Sequence, residues 1–366
     1  MVTPIISITG VTDFEGSDAR EFNFIVKLSE VSTQDVSVQY ATQNGTAVDG
    51  VDFIADAGTL TIEAGETQRI LSITINGDDI REVEKSFSVI LSNPVSATID
   101  SGEAIGIIKN DDDRIEKNAD GYATPDQYTG YENLWSDEFS GSEINAGSWT
   151  HELGGHGWGN NELQTYTADQ INSYIQDGNL VIQALSDSQG KAYTSARMIT
   201  KDKVEFTHGR IDVRAKLPTG QGIWPAIWML GANIDEVSWP ACGEIDIMEL
   251  VGHEPDEVHG TAHWGVRGSP STFNGSSLVD ENGFQDTYHV WTLMWEENSI
   301  KWYVDEQLLH SISSSQVTGT NYPFNSDFFI LFNIAVGGNW PGSPDATTAF
   351  PQTMEIDYIR VFQPKG

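Results

Sequence analysis

GEIDIMEL, residues 243–250, reads as a β-strand: isoleucines and a methionine interleave with Glu244, Asp246 and Glu249, and no helix start signal precedes them. Side chains on a regular strand alternate faces, so Glu244 and Asp246 share one side and Glu249 points to the other. A β-bulge at Ile247 and Met248, one extra residue, returns Glu249 to the side of the other two acids. Two glutamates with an aspartate between them suit cleavage of a glycosidic bond through a covalent intermediate. The bland alternative is an exposed edge strand with solvated acids. WPAIWML upstream and HGTAHWG downstream argue against it, because acids among so many aromatics belong in a cleft.

Outward from this strand the chain stays strand-like. RIDVRAKL, VWTLMW, IKWYVDEQLLHSI, FFILFNIAV and MEIDYIRVF all read as strands, and helical periodicity of useful length is missing. All 11 tryptophans lie from Trp135 onward, which marks residues 134–366 as a separate domain. Its size, its strands and its long Gly-rich loops predict a two-sheet jelly roll. Residues 1–113 differ in character. IISIT, EFNFIVKL, DVSVQYAT, GTLTIE, RILSITI, SFSVIL and AIGIIK are short alternating segments between turn residues, which predicts an immunoglobulin-like β-sandwich. Residues 114–133 are polar, carry no period and read as a linker. The fold class expected is all-β throughout.

The chain of 366 residues carries 19 Lys and Arg against 54 Asp and Glu, a net charge of −35, which excludes nucleic acid and anionic lipid as partners. The acids are spread among apolar strands, so the composition is not that of a disordered tail. Cys242 is the one cysteine, and no internal disulfide can form. No stretch approaches the length of a membrane span. MVTPIISITG has neither the basic region nor the apolar core of a signal peptide, so a secretion signal is expected to be absent from this chain.

GEIDIME, together with GIWPAIWML before it, HGTAHWG after it and GNNELQTY upstream, resembles glycoside hydrolase family sixteen over about residues 134–363. Within that family it is most similar to bacterial laminarinases, which are endo-acting β-1,3-glucanases. The resemblance implies a concanavalin-like jelly roll with a substrate groove on its concave face and retention of anomeric configuration. It implies Glu244 as nucleophile, Glu249 as acid/base and Asp246 between them. It places His263 in the cleft near the acid/base, whereas His259 is expected to pack structurally. Trp224, Trp228, Trp239 and Trp340 match positions that line sugar subsites, where indole faces suit pyranose rings. Asn161, Glu162 and Arg197 match positions that bind sugar hydroxyls. Trp149, Trp291, Trp295 and Trp302 sit in or beside strand patterns and read as core.

Two calcium systems are implied in the same way. Glu138, Gly178 and Asp357 match a structural calcium site on the convex face of the larger domain. The first domain resembles the Calx-beta module through FEG, TAVDGVDF, GTLTIEAGE, INGDDIREVE, SFSVILSNP and IIKNDDD. Glu15, Asp52, Asp78, Asp79, Glu82, Asp111, Asp112 and Asp113 match its calcium-binding acids, while Gly77 and Lys85 stand where stronger binders have acids. A rigid spacer with solvated acidic loops is the alternative. The expected protein is a secreted, monomeric enzyme acting on polysaccharide, with no cofactor for the chemistry itself. Mixed-linkage glucan, agar or another galactan are alternative substrates. A non-catalytic glucan-binding protein is the alternative class.

Overall fold

A computed structural model describes residues 3–16, 18–77, 84–109, 116–319 and 322–365. The chain forms two compact units, Met1–Arg114 and Ile115–Gly366. The first is a sandwich of a four-stranded and a five-stranded sheet. Among the described residues its strands are the seven expected plus two short ones, Val11–Phe14 and Thr98–Ser101, too brief to show a period. Alternation places Phe22, Phe24, Val26, Ile73, Phe87 and Val89 in one buried core. Within it Phe53 stacks on Phe87 with ring centroids 4.5 Å apart.

The second unit packs an eight-stranded sheet against a ten-stranded one. GEIDIMEL supplies a strand of the smaller sheet, Glu244–Glu249, between Ile223–Gly231 and Glu257–Trp264. Phe328–Val336, buried at every position, runs beside Ile223–Gly231. Inward residues of both sheets, among them Ile227, Ile245 and Phe332 from one and Val213, Trp291 and Ile356 from the other, share a single core. Trp149, Trp291, Trp295 and Trp302 are all buried in it. Helix is confined to one turn, Ile234–Val237, and two 3-10 turns among the described residues. None of these is long and apolar enough to cross a membrane.

Two sequence expectations differ from the observed elements. IKWYVDEQLLHSI is not one strand but a hairpin, Ser299–Val304 and Gln307–Ser313. Asp305 and Glu306 turn it with φ of 48° and 74°, and a two-residue turn with both φ positive matches the twist of paired strands. Neither residue is glycine, so composition hides the turn. Much of the segment read as a linker is tied to the second unit. Thr124 N–H donates to Tyr358 Oη at 2.7 Å, Tyr128 Oη donates to Asp212 Oδ2 at 2.7 Å, and Tyr131–Asp137 pairs with the strand Gln352–Pro364.

Candidate active site

Strand register builds the site. Against Ile223–Gly231, Trp228 pairs with Asp246 and Ile227 with Met248, so Ile247 is the extra residue. On the other side Asp246 pairs with Thr261 and Glu249 with His259, so Ile247 and Met248 together face the single residue Gly260. This is the bulge expected from the sequence. Ile245, Ile247, Met248 and Leu250 all enter the core, and Glu244, Asp246 and Glu249 all line one cleft. Trp302 props the bulge from the opposite sheet: its Nε1–H donates to the Asp246 carbonyl at 2.8 Å. A Cβ on Gly260 would come within 2.9 Å of the same indole, which is why a glycine stands there. Core reading of Trp302 from sequence is correct but misses this second task.

Three rows of paired residues cross the sheet. One runs Arg197, Asn333, Ala226, Glu249, His259, Ser277; the next Leu331, Trp228, Asp246, Thr261, Gly275; the third Leu230, Glu244, His263, Phe273. They floor a cleft of about 1040 Å³ that Trp158, Trp224, Trp239 and Trp340 also line. At one end Trp239 Nε1–H donates to Glu244 Oε2 at 3.0 Å, and Phe273 lies 5.6 Å from His263, ring to ring. At the other end Trp224 Nε1–H donates to Glu249 Oε1 at 3.1 Å, while Trp340 meets both Trp224 and His259 edge-on. Trp239 and Trp340 stay 44% and 42% exposed, leaving ring faces for a ligand.

His263 lines the cleft as expected but stands opposite Glu244, and His259 takes the place opposite Glu249. His263 sits beside Glu244 and Asp246, its Nε2 being 3.8 Å from Glu244 Oε1 and 3.3 Å from Asp246 Oδ2. His259, expected to pack structurally, is the one opposite Glu249, and it lines the cleft. The physical reason is register: the bulge consumes one residue more of the acidic strand than of its neighbour, so position along the chain misleads.

All three carboxyls are pushed above their ordinary range. Burial is the main cause for each, and the negative charge of Asp246 adds to it for Glu244 and Glu249. Trp239 and His263 oppose the rise at Glu244, as Trp224 and His263 do at Glu249. Burial and mutual repulsion together favour keeping a proton on this set above the ordinary carboxylate range. The set can therefore present a carboxylate and a carboxylic acid together.

The polar positions behave unequally. Arg197 is clamped between Trp158 and Trp228, 4.7 Å from each ring centroid, and its Nε donates to Glu152 Oε2 at 2.5 Å. Trp158 and Glu152 have no sequence signal of their own. Glu162 lines the cleft, held by Gln164 Nε2 at 2.7 Å. Asn161 does not line it: with φ of 58° it is a turn residue whose Nδ2 donates to Asn339, and its neighbour Asn160 lines the cleft instead. Trp228 is fixed by its Nε1–H to Asn333 Oδ1 at 2.7 Å.

The expected calcium ligands fit less well. Both oxygens of Glu138 accept from Arg360, at 2.8 and 2.7 Å, and Asp357 Oδ2 accepts from Arg214 at 2.5 Å. Arginines therefore engage both carboxylates, and any calcium there would draw on carbonyl oxygens as well, as the resemblance implies. Gly178, with φ of 83°, turns the hairpin between Ser173–Gln176 and Asn179–Ser186. In the first unit Asp52 is buried, accepts from Val48 N–H and pairs with Lys85 Nζ at 2.5 Å. Glu15 is buried as well. A Cβ at Gly77 would fall 2.0 Å from the Gly16 carbonyl oxygen, so no acid fits there. Asp78, Asp79, Glu82, Asp111, Asp112 and Asp113 lie outside the described residues.

A two-sheet jelly roll with paired glutamates in an aromatic cleft defines a glycoside hydrolase. The family model for glycosyl hydrolases family 16 matches residues 159–360, and the chain belongs to that family. The Calx-beta domain model matches residues 12–112. The chain is 39% identical to glucan endo-1,3-beta-glucosidase A1 of Niallia circulans over 66% of its own length, spanning 39% of that relative. It is 40% identical to a beta-glucanase of Rhodothermus marinus, over 64% of this chain and 85% of that one. Among solved structures, the laminarinase catalytic domain of Thermotoga maritima MSB8 superposes with a TM-score of 0.59 at 45% identity, covering 64% of this chain and 99% of that one.

Proposed function

We propose that the chain is an endo-acting β-1,3-glucanase of laminarinase type that retains anomeric configuration. The observation carrying this reading is the bulge that sets Glu244, Asp246 and Glu249 on one floor of the cleft. Retention needs its two carboxyls about 5–5.5 Å apart, close enough to serve opposite sides of one bond. Glu244 attacks the anomeric carbon as carboxylate, oriented by the Trp239 indole N–H. Glu249 gives its proton to the departing glycosidic oxygen and later takes one from the water that frees the sugar. Asp246 shares a proton with Glu244, releasing negative charge to the nucleophile as it attacks. Because glucan is a polymer too large to cross a membrane, the enzyme works outside the cell.

Release of reducing sugar from laminarin tests the assignment, with lichenan and agarose in parallel. Laminarin is expected to be cleaved fastest, with a spread of oligosaccharides appearing early. Preference for agarose would transfer the same mechanism to a galactan, and hydrolysis of none would leave a glucan-binding protein.

For the first unit, the Asp52–Lys85 pair supports only weak calcium binding, about millimolar, as in extracellular modules. Calorimetric titration of the full chain with calcium checks this. Micromolar binding accompanied by a higher melting temperature contradicts it.

A further inference from the structure

Glu244, Asp246 and His263 each turn one donor atom into the same corner of the cleft, all three within 4.8 Å of one another. The Nε2 of His263 is 3.8 Å from Glu244 Oε1 and 3.3 Å from Asp246 Oδ2. Bonds of about 2.0–2.2 Å in a tetrahedron put neighbouring donors roughly 3.3–3.6 Å apart, so the two separations to His263 are close to that span, and the carboxylate oxygens, within 4.8 Å of one another, need only a side-chain adjustment to share one ion. Asp246 is 3% exposed, and its buried Oδ2 has no well-aligned hydrogen bond, the His263 Nε2 at 3.3 Å being its neighbour. A buried oxygen of that kind is costly unless something meets it. The other two donors are pre-aimed: Trp239 holds Glu244 by Oε2, leaving Oε1 toward His263, and His263 pairs directly with Glu244 in the sheet.

We propose that this corner is a binding site for a divalent transition-metal ion of the zinc class, and that the ion inhibits the enzyme by competing with substrate. One imidazole nitrogen and two carboxylate oxygens are a zinc-type set with the fourth position open to the cleft. Calcium, which takes six to eight oxygens, does not match a site with three donors, one of them nitrogen. The ligands stand on two paired strands rather than on loops, so the site is built before the metal arrives. An ion there bonds the carboxylate that attacks the sugar and blocks the anomeric carbon from reaching it. The inhibition rests on the catalytic reading of Glu244; the binding does not.

Cobalt(II) added to the full chain tests the binding by its visible absorption. One equivalent is expected to give the intense bands of a four-coordinate ion. His263→Gln and Asp246→Asn should each weaken the site about tenfold or more, a loss at the scale of disturbed metal shells. Zinc should raise the apparent KM for laminarin at constant kcat, and calcium at equal concentration should not. Absence of the bands, or their persistence in both variants, overturns the site. Bands without competition against laminarin overturn the inhibition. A wild-type chain that binds cobalt but hydrolyses nothing leaves the site standing and sinks the catalytic reading.

Discussion

Glu244→Gln and Glu249→Gln are each expected to lower laminarin hydrolysis by about three orders of magnitude or more while glucan binding survives. The amide keeps the shape of each side chain, and most of the cleft wall is untouched. The two variants should nevertheless differ. An aryl glucoside with a good leaving group needs no proton from Glu249, so Glu249→Gln should still release one equivalent of aryl alcohol in a burst. Glu244→Gln, lacking the nucleophile, should show none. Stopped-flow absorbance on the aryl substrate and calorimetry with laminarin oligosaccharides measure both effects. Near-normal turnover in either variant would refute the assigned roles.

Asp246→Asn should separate stability from activity. Burial pushes the Asp246 carboxyl up to about 8, so the folded chain holds this proton more tightly than the unfolded chain does. The stability tied to such a group is fully present in acid, below the ordinary carboxylate pKa, and is lost as pH rises through about 8. Asparagine has no charge to bury. The variant should therefore be about as stable as the parent near pH 3.5 and more stable than the parent at pH 8, by about 1–3 kcal/mol, the scale for a badly housed buried polar group. Activity should fall about 10–100-fold because the nucleophile loses its proton partner. Asp246 also raises Glu249, so removing its charge should shift the alkaline limb of the pH–activity profile toward acid. Calorimetric melts across pH and a kcat/KM profile measure the two halves. A uniform loss of stability at every pH would end this account.

Much of the site was legible in the sequence because strand chemistry is local. The alternation in GEIDIMEL and its one excess residue sufficed to bring Glu244, Asp246 and Glu249 to one face, and the bulge lies where expected. Trp224 and Trp239 were legible as cleft residues, since each is close in sequence to the strands that form the floor. The partners of these residues were not. Whether His259 or His263 meets Glu249 depends on a register offset between two strands. That Asn160 rather than Asn161 lines the cleft depends on a positive φ in one loop. That arginines distant in the chain engage the carboxylates of Glu138 and Asp357 was not legible either.

The sequence by itself determined the all-β class, the seven apolar segments of the first domain, and the acidic strand with its bulge, because period and turn chemistry act over a few residues. Only the tertiary structure decided what surrounds each acid. Trp302 from the opposite sheet holds the Asp246 carbonyl, Trp158 and Trp228 clamp Arg197, and His263 closes the corner at Asp246. Burial, the largest cause of the raised carboxyl pKa values, is a property of the packed sheets rather than of any strand in them.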